Sequence, residues 1–250
     1  MWLLGTARAN LVFFPRPEDV PKPGYAILSH TWGPKEDTFQ QFIPPVTILS
    51  SPPWFNPRDK LSHKVRAFLE EAEKFGYKFA WVDTCCIDKT SSAELSEAIN
   101  SMFQYYFHSS ICCVYLSDVS RYYGGVDFQR SKWHRRGWTL QELLASPVVF
   151  FFSEQWEIIG TKSELAKVLQ EATGVPVAVL RFETDIQHMS IAERLSWASG
   201  RETTRPEDIA YCLFGIFGIS MPTLYGEGGE KAFYRFLEEI MKTSHDASVF

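Results

Sequence analysis

The polar residues able to do chemistry fall in four short clusters, each beside an apolar run. They are Ser29-His30-Thr31-Trp32-Gly33, Asp83-Thr84-Cys85-Cys86-Ile87-Asp88, Ser117-Asp118 and Trp138-Thr139-Leu140-Gln141-Glu142. Histidine, serine and carboxylates in one pocket could act as general base, ligand contact and charge stabiliser, with indoles as walls. Each residue also has a purely structural reading. His30 could be a hydrogen-bonded loop histidine, and Ser29 and Asp83 could be strand-end turn residues. Asp83 could equally orient His30. Trp32 and Trp138 could close the core, and Glu142 could be a surface carboxylate or the ion-pair partner of Arg135 or Arg136. A nucleophilic triad of Cys85 or Cys86 with His30 and Asp83 would need hydrogen-bond geometry that spacing does not supply, and the apolar setting of both thiols favours inert packing.

The five cysteines argue the same way. Four stand as adjacent pairs, Cys85-Cys86 and Cys112-Cys113. Neighbours on a strand point to opposite faces, so neither pair can close an ordinary disulfide or clamp a metal. There is no C-x-x-C, and the Cys and His spacing does not suit zinc, so no metal is expected. Buried free thiols of a reducing compartment are the reading.

The elements that must position these clusters follow from periodicity. Tyr25 to Ser29 reads as a strand broken at Trp32-Gly33-Pro34, after a proline-punctuated start expected to hold one short strand and an irregular lead-in. Residues 34–58 read as a long loop that could cover a pocket at rest. Val65, Phe68, Leu69, Ala72 and Phe75 have helical spacing, with Gly76 placed to end the helix. Residues 78–83 form the next strand. Ser91 and Glu94 make a capping box for a helix whose apolar face is Leu95, Ile99, Met102, Phe103 and Tyr106. Ile111–Leu116 and Val148–Phe152 are continuous apolar runs, as in strands buried on both faces. Between them lie a loop with Gly124-Gly125 and a short helix over 138–145.

Strands alternating with helices predict an α/β domain with a mostly parallel sheet flanked by helices over residues 1–160. Helices expected at 163–172, 190–199, 206–217 and 229–242, the third capped by Thr204-Arg205-Pro206-Glu207, give a C-terminal helical part over 161–250. In such sheets ligands bind past the carboxyl ends of the strands, where the four clusters stand.

Three of these segments resemble the ordered signatures of fungal heterokaryon incompatibility (HET) domains. Tyr25-Ala-Ile-Leu-Ser-His-Thr-Trp-Gly33 is similar to the first. Trp81-Val-Asp-Thr-Cys-Cys-Ile-Asp-Lys89 is similar to the second, with Lys89 where the family often has Gln. Arg136-Gly-Trp-Thr-Leu-Gln-Glu142 is similar to the third. The likeness extends through Ser190-Ile-Ala-Glu-Arg-Leu-Ser-Trp-Ala198 and Tyr225-Gly-Glu-Gly228. It implies a cell-death effector of self/non-self recognition, active when self-associated. It also implies a following NACHT nucleotide-binding module and repeats; the end at Ser248-Val249-Phe250 is expected to be the edge of one module in a longer protein.

The resemblance further implies a distant relation to TIR domains, with a flavodoxin-like sheet and, in some, NAD cleavage by a glutamate in Trp-Cys-x-x-Glu. Trp138 to Glu142 repeats that spacing, with Thr139 at the Cys position. With eight Trp in the chain, about one chance Trp-x-x-x-Glu match is expected. Trp32 with Glu36 is a second match, across a Gly-Pro loop that cannot be helical. Context singles out Glu142 as the catalytic candidate. Breaking the nicotinamide–ribose bond builds positive charge on the ribose, which an ionised carboxylate would stabilise. Ser29, His30, Trp32, Asp83, Cys86, Arg136 and Trp138 would line the substrate pocket, with NAD as substrate and no cofactor. A non-catalytic assembly module, and a nucleotide-binding regulator without turnover, remain as alternatives from other classes.

Composition bounds the rest. The net charge of −5, with no basic block, removes the electrostatic footing for nucleic-acid binding. The start lacks the pattern of a signal peptide, and no apolar run is long enough to span a bilayer, so a soluble, cytoplasmic protein is expected. The 20 Phe, 10 Tyr and 8 Trp suggest a thick core with rings to spare for a pocket or interface.

Overall fold

The computed structural model of the protein describes residues 1–43, 56–120 and 125–243. Its strands are β1 (Trp2–Gly5), β2 (Leu11–Phe13), β3 (Ala26–His30), β4 (Phe79–Trp81), β5 (Ile111–Tyr115), β6 (Val149–Phe152) and β7 (Ile158–Thr161). They form one sheet in the order β2-β1-β4-β3-β5-β6-β7. The middle four run parallel, and β1, β2 and β7 join antiparallel at the edges. The parallel strands carry the continuous apolar runs because both faces are covered: β3 is buried throughout, and β5 everywhere but its last residue. Their relative order, second-first-third-fourth, is that of a flavodoxin-like doubly wound sheet. The mostly parallel α/β reading therefore holds.

The helices before β6 are α1 (His63–Lys74), α2 (Asp83–Cys86), α3 (Ser92–Phe107), α4 (Gly125–Arg130) and α5 (Thr139–Ala145). Those after β7 are α6 (Ala166–Thr173), α7 (Val177–Leu180), α8 (Ile191–Ser196), α9 (Asp208–Tyr211), α10 (Phe214–Phe217) and α11 (Gly229–Thr243). Right-handed crossovers send the α1 and α3 connections to opposite faces of the sheet, and α3 accordingly packs on α5. The C-terminal helices share one apolar core with the sheet, α10 lying against α3 and α5. At that contact a side chain on Gly215 would stand 2.0 Å from Phe103 Cβ, so only glycine permits the approach.

Several expectations are corrected. The lead-in after β1 folds back as β2, and a strand the sequence did not signal, β7, closes the other edge. Both are three or four residues long and partly exposed, too short to show alternation. The single helix expected over 206–217 is two short pieces, α9 and α10. The expected cap at its start is not made. Glu207 instead accepts hydrogen bonds from the amides of Gly226 and Gly228, 2.9 and 3.0 Å away, pinning the loop before α11. At α3, Ser91 Oγ accepts from Glu94 N as expected, but the Glu94 carboxylate takes the Asp88 amide. The loop expected over 34–58 contains two 3-10 turns, Phe39–Gln41 and Pro57–Lys60; its residues 44–55 lie outside the described residues, as do Gly124 and the last residues 244–250.

Candidate functional site

All seven residues of α5 are buried, including Glu142, which is 7% exposed. A carboxyl on such a helix must be held by neighbours. Ser29, at the end of β3, donates its hydroxyl to Glu142 Oε2, and Trp133 Nε1 donates to Ser29 Oγ at 2.7 Å. The Tyr106 hydroxyl stands beside the same carboxyl and donates to the Leu28 carbonyl at 2.8 Å. Burial, above all, pushes Glu142 up to about 8; the Asp83 charge adds to this, while Ser29, Tyr106 and Arg136 oppose it. Burial therefore favours the protonated form of this acid. The family resemblance implies an ionised carboxylate here; burial opposes that charge, while Ser29, Tyr106 and Arg136 favour it.

The helix carrying this acid is fixed at both ends. Arg201 Nη1 donates to the Arg136 carbonyl at 2.9 Å and to Thr139 Oγ1 at 3.1 Å. Lys162 Nζ donates to the Leu143 carbonyl at 2.9 Å and to that of Ser146, satisfying acceptors at the carboxyl end. Burial brings this amine down to about 7.

Asp83, the first residue of α2 after β4, is the second centre. His30 Nε2 donates to its Oδ1 at 2.8 Å, and Trp32 Nε1 to its Oδ2 at 2.7 Å. Lys89 Nζ lies 4.0 Å from Oδ2 and 3.8 Å from the centre of the Trp32 ring. Burial opposes the charge on Asp83, yet His30, Lys89 and the Trp32 N–H outweigh it and hold the carboxyl well below its ordinary range. Two carboxyls in one cleft are thus driven apart, one towards the neutral form and one towards the ionised.

The opposite wall comes from the C-terminal helices. Asp208, at the start of α9, accepts from Trp138 Nε1 at 3.1 Å and from the Tyr225 hydroxyl at 2.8 Å. Arg136 Nη1 donates to Thr204 Oγ1 at 2.6 Å, and the Arg205 guanidinium lies 4.0 Å over the Tyr225 ring. Together these residues enclose a cleft of about 160 Å³ at the carboxyl edge of the parallel strands, where His30, Trp32, Asp83, Arg136, Trp138 and Glu142 meet.

Two of the expected pocket residues lie elsewhere. Ser29 is fully buried and does not line the cleft; its hydroxyl is engaged behind Glu142. Cys86 turns into the core: its sulfur accepts from the Val82 amide, faces the Ala80 carbonyl and borders a separate cavity with Trp2 and Trp81. Burial raises the Cys86 thiol to about 12, and all five cysteines are buried and free. Asp118 serves as a loop anchor, accepting from Ser131 Oγ and Lys132 N. Asp208, Arg205, Thr204 and Tyr225 line the cleft without having been singled out for it; Tyr225 stood in a family-like motif, and Thr204 and Arg205 in an expected helix cap.

A doubly wound α/β domain whose strand-end cleft holds a buried glutamic acid beside a histidine-paired aspartate is the class of protein these observations define. Residues 25–128 match the family described as Heterokaryon incompatibility protein (HET). Over 238 residues, 90% of the chain, the sequence is 44% identical to Vegetative incompatibility protein HET-E-1 of Podospora anserina. The chain carries a heterokaryon incompatibility domain. It spans only 17% of the length of that relative. No solved structure matches it. Among the described residues no helix is long and apolar enough to cross a membrane.

Proposed function

We propose that this domain is a cell-death effector of fungal self/non-self recognition that hydrolyses NAD to nicotinamide and ADP-ribose in the cytoplasm, when self-associated. The relative's name supports the incompatibility role. One observation carries the catalytic part: Glu142 lines the cleft beside Asp83 and Asp208, and the buried Ser29 hydroxyl fixes it from behind. In the proposed reaction the positive nicotinamide ring favours the ionised form of Glu142, which releases its proton to solvent as substrate binds. The bond from C1′ to nicotinamide breaks with its electron pair leaving on nicotinamide. The Glu142 carboxylate stabilises the ribosyl cation, and water then attacks C1′ and gives its proton back to Glu142. The acid is regenerated in its neutral resting form. In the full-length protein a nucleotide-binding module and repeats would bring protomers together.

The test is to incubate forcibly clustered protein with NAD and follow nicotinamide release, with Glu142→Gln alongside. Release by the wild type and its loss in a folded, equally assembled Glu142→Gln variant is the expected result. Absence of release from a verified assembly would overturn the enzymatic reading and leave a non-catalytic assembly module.

A further inference from the structure

The chain carries a net charge of −5, yet three cations, Lys89, Arg136 and Arg205, line this one cleft. Asp83, Glu142 and Asp208 line it too, and Asp208 interacts electrostatically with Arg136 and Arg205, but without a close ion pair. Among the described residues no ion pair joins Arg136 or Arg205 to a carboxylate, and Lys89 reaches Asp83 only at 4.0 Å. Each instead rests near an aromatic face. Lys89 is 3.8 Å and Arg136 5.5 Å from the Trp32 ring, and Arg205 is 4.0 Å from that of Tyr225.

The carboxylates that might have claimed these cations are engaged by the rings themselves. Asp83 binds the Trp32 N–H and His30, and Asp208 binds the Tyr225 hydroxyl and the Trp138 N–H. Two units of the same kind therefore face the opening, each a carboxylate holding the edge of a ring whose face carries a cation. A contact with a solvent-exposed ring is weak, and Lys89 and Arg205 are both exposed. A phosphate offers charge-assisted, bidentate bonds that are stronger, so an anionic ligand can draw these cations off their rings. Trp32, half exposed and held at its edge, would then present a free face on which a base can stack.

We infer that the mouth of the cleft recognises phosphate: Lys89, Arg136 and Arg205 bind the pyrophosphate of a dinucleotide, and the domain discriminates against the same nucleoside without phosphate. This rests on the proposed NAD cleavage for its substrate, but the phosphate site can be read separately from turnover.

The experiment compares nicotinamide release from NAD, nicotinamide mononucleotide and nicotinamide riboside, which share the scissile bond and differ in phosphate. Wild-type kcat/KM should fall in that order. Arg205→Ala should lower kcat/KM for NAD about tenfold and leave the riboside within about twofold, and Arg205→Lys should recover part of the NAD rate. Equal losses on all three substrates, or a wild type that treats NAD and the riboside alike, would overturn the inference while leaving the hydrolase reading intact. Calorimetry with ADP-ribose covers the case in which no substrate turns over. Binding that weakens with salt and is lost in Arg205→Ala keeps the phosphate site and removes the hydrolase; no binding removes the phosphate site.

Discussion

The floor and the mouth of the cleft are built on opposite plans. At the floor, Ser29, Trp133 and Glu142 are almost completely buried and joined through one hydroxyl, and burial favours the neutral acid. At the mouth, Lys89, Arg136 and Arg205 reach aromatic rings and a neutral threonine rather than close carboxylate partners. The difference teaches where each kind of work can be done. A group that must change charge during a reaction belongs in a dry site, where a nearby substrate charge shifts its ionisation strongly. Groups that capture an ion from solution belong where water can leave and return at low cost.

Substitutions can break this contrast in order of expected effect. Glu142→Gln, which keeps the shape of the floor and removes the ionisable group, should lower nicotinamide release by about 10²–10³-fold. Asp208→Asn acts on the wall between the two regions. It removes the charge that seats Trp138 and Tyr225, and should cost roughly tenfold in kcat/KM, mainly through KM, without moving the pH midpoint. A normal rate in that variant would separate the wall from the chemistry.

Stability gives a smaller and independent signal. The Glu142 carboxyl ionises at about 8 in the folded protein against 4.5 in a solvated chain. Between those values the folded state binds more protons than the unfolded one, so stability falls as pH rises and the loss is complete above about 8. Glu142→Gln removes this penalty. Its melting temperature should therefore gain on the wild type by several degrees between pH 5 and pH 9, as read by calorimetric scans. A pH-independent difference would mean that the carboxyl is not buried as described.

The same contrast explains what the sequence disclosed. Strands β3 to β6 were legible because burial on both faces demands unbroken apolar runs, and α1, α3 and α5 because their stripes or flanking signals are local. The floor followed: Glu142 lies one turn from Trp138 on α5, and both line the cleft. The tie of His30 to Asp83 was available as an option because both follow parallel strands. Asp208, Arg205 and Tyr225 were not legible as cleft residues. They arrive through packing of short, broken helices more than 60 residues further along the chain, and no periodicity records that approach. Ser29 and Cys86 were misplaced for a related reason. Sequence puts a residue at a strand end or on a helical turn, but only the packed core decides whether it faces the cleft. The bias of Glu142 towards its neutral form is also a property of burial, which its own sequence neighbours do not encode.

The central claim, that a buried neutral Glu142 works as a carboxylate, is tested most directly by the pH dependence of kcat/KM for NAD in assembled protein. The account predicts a rate that rises with pH to a plateau, with a midpoint near 8. The midpoint should move upward in Ser29→Ala, which loses the hydroxyl that favours ionisation, and the profile should vanish in Glu142→Gln. A profile that is flat or falls across that range, or a midpoint unmoved by Ser29→Ala, would contradict it.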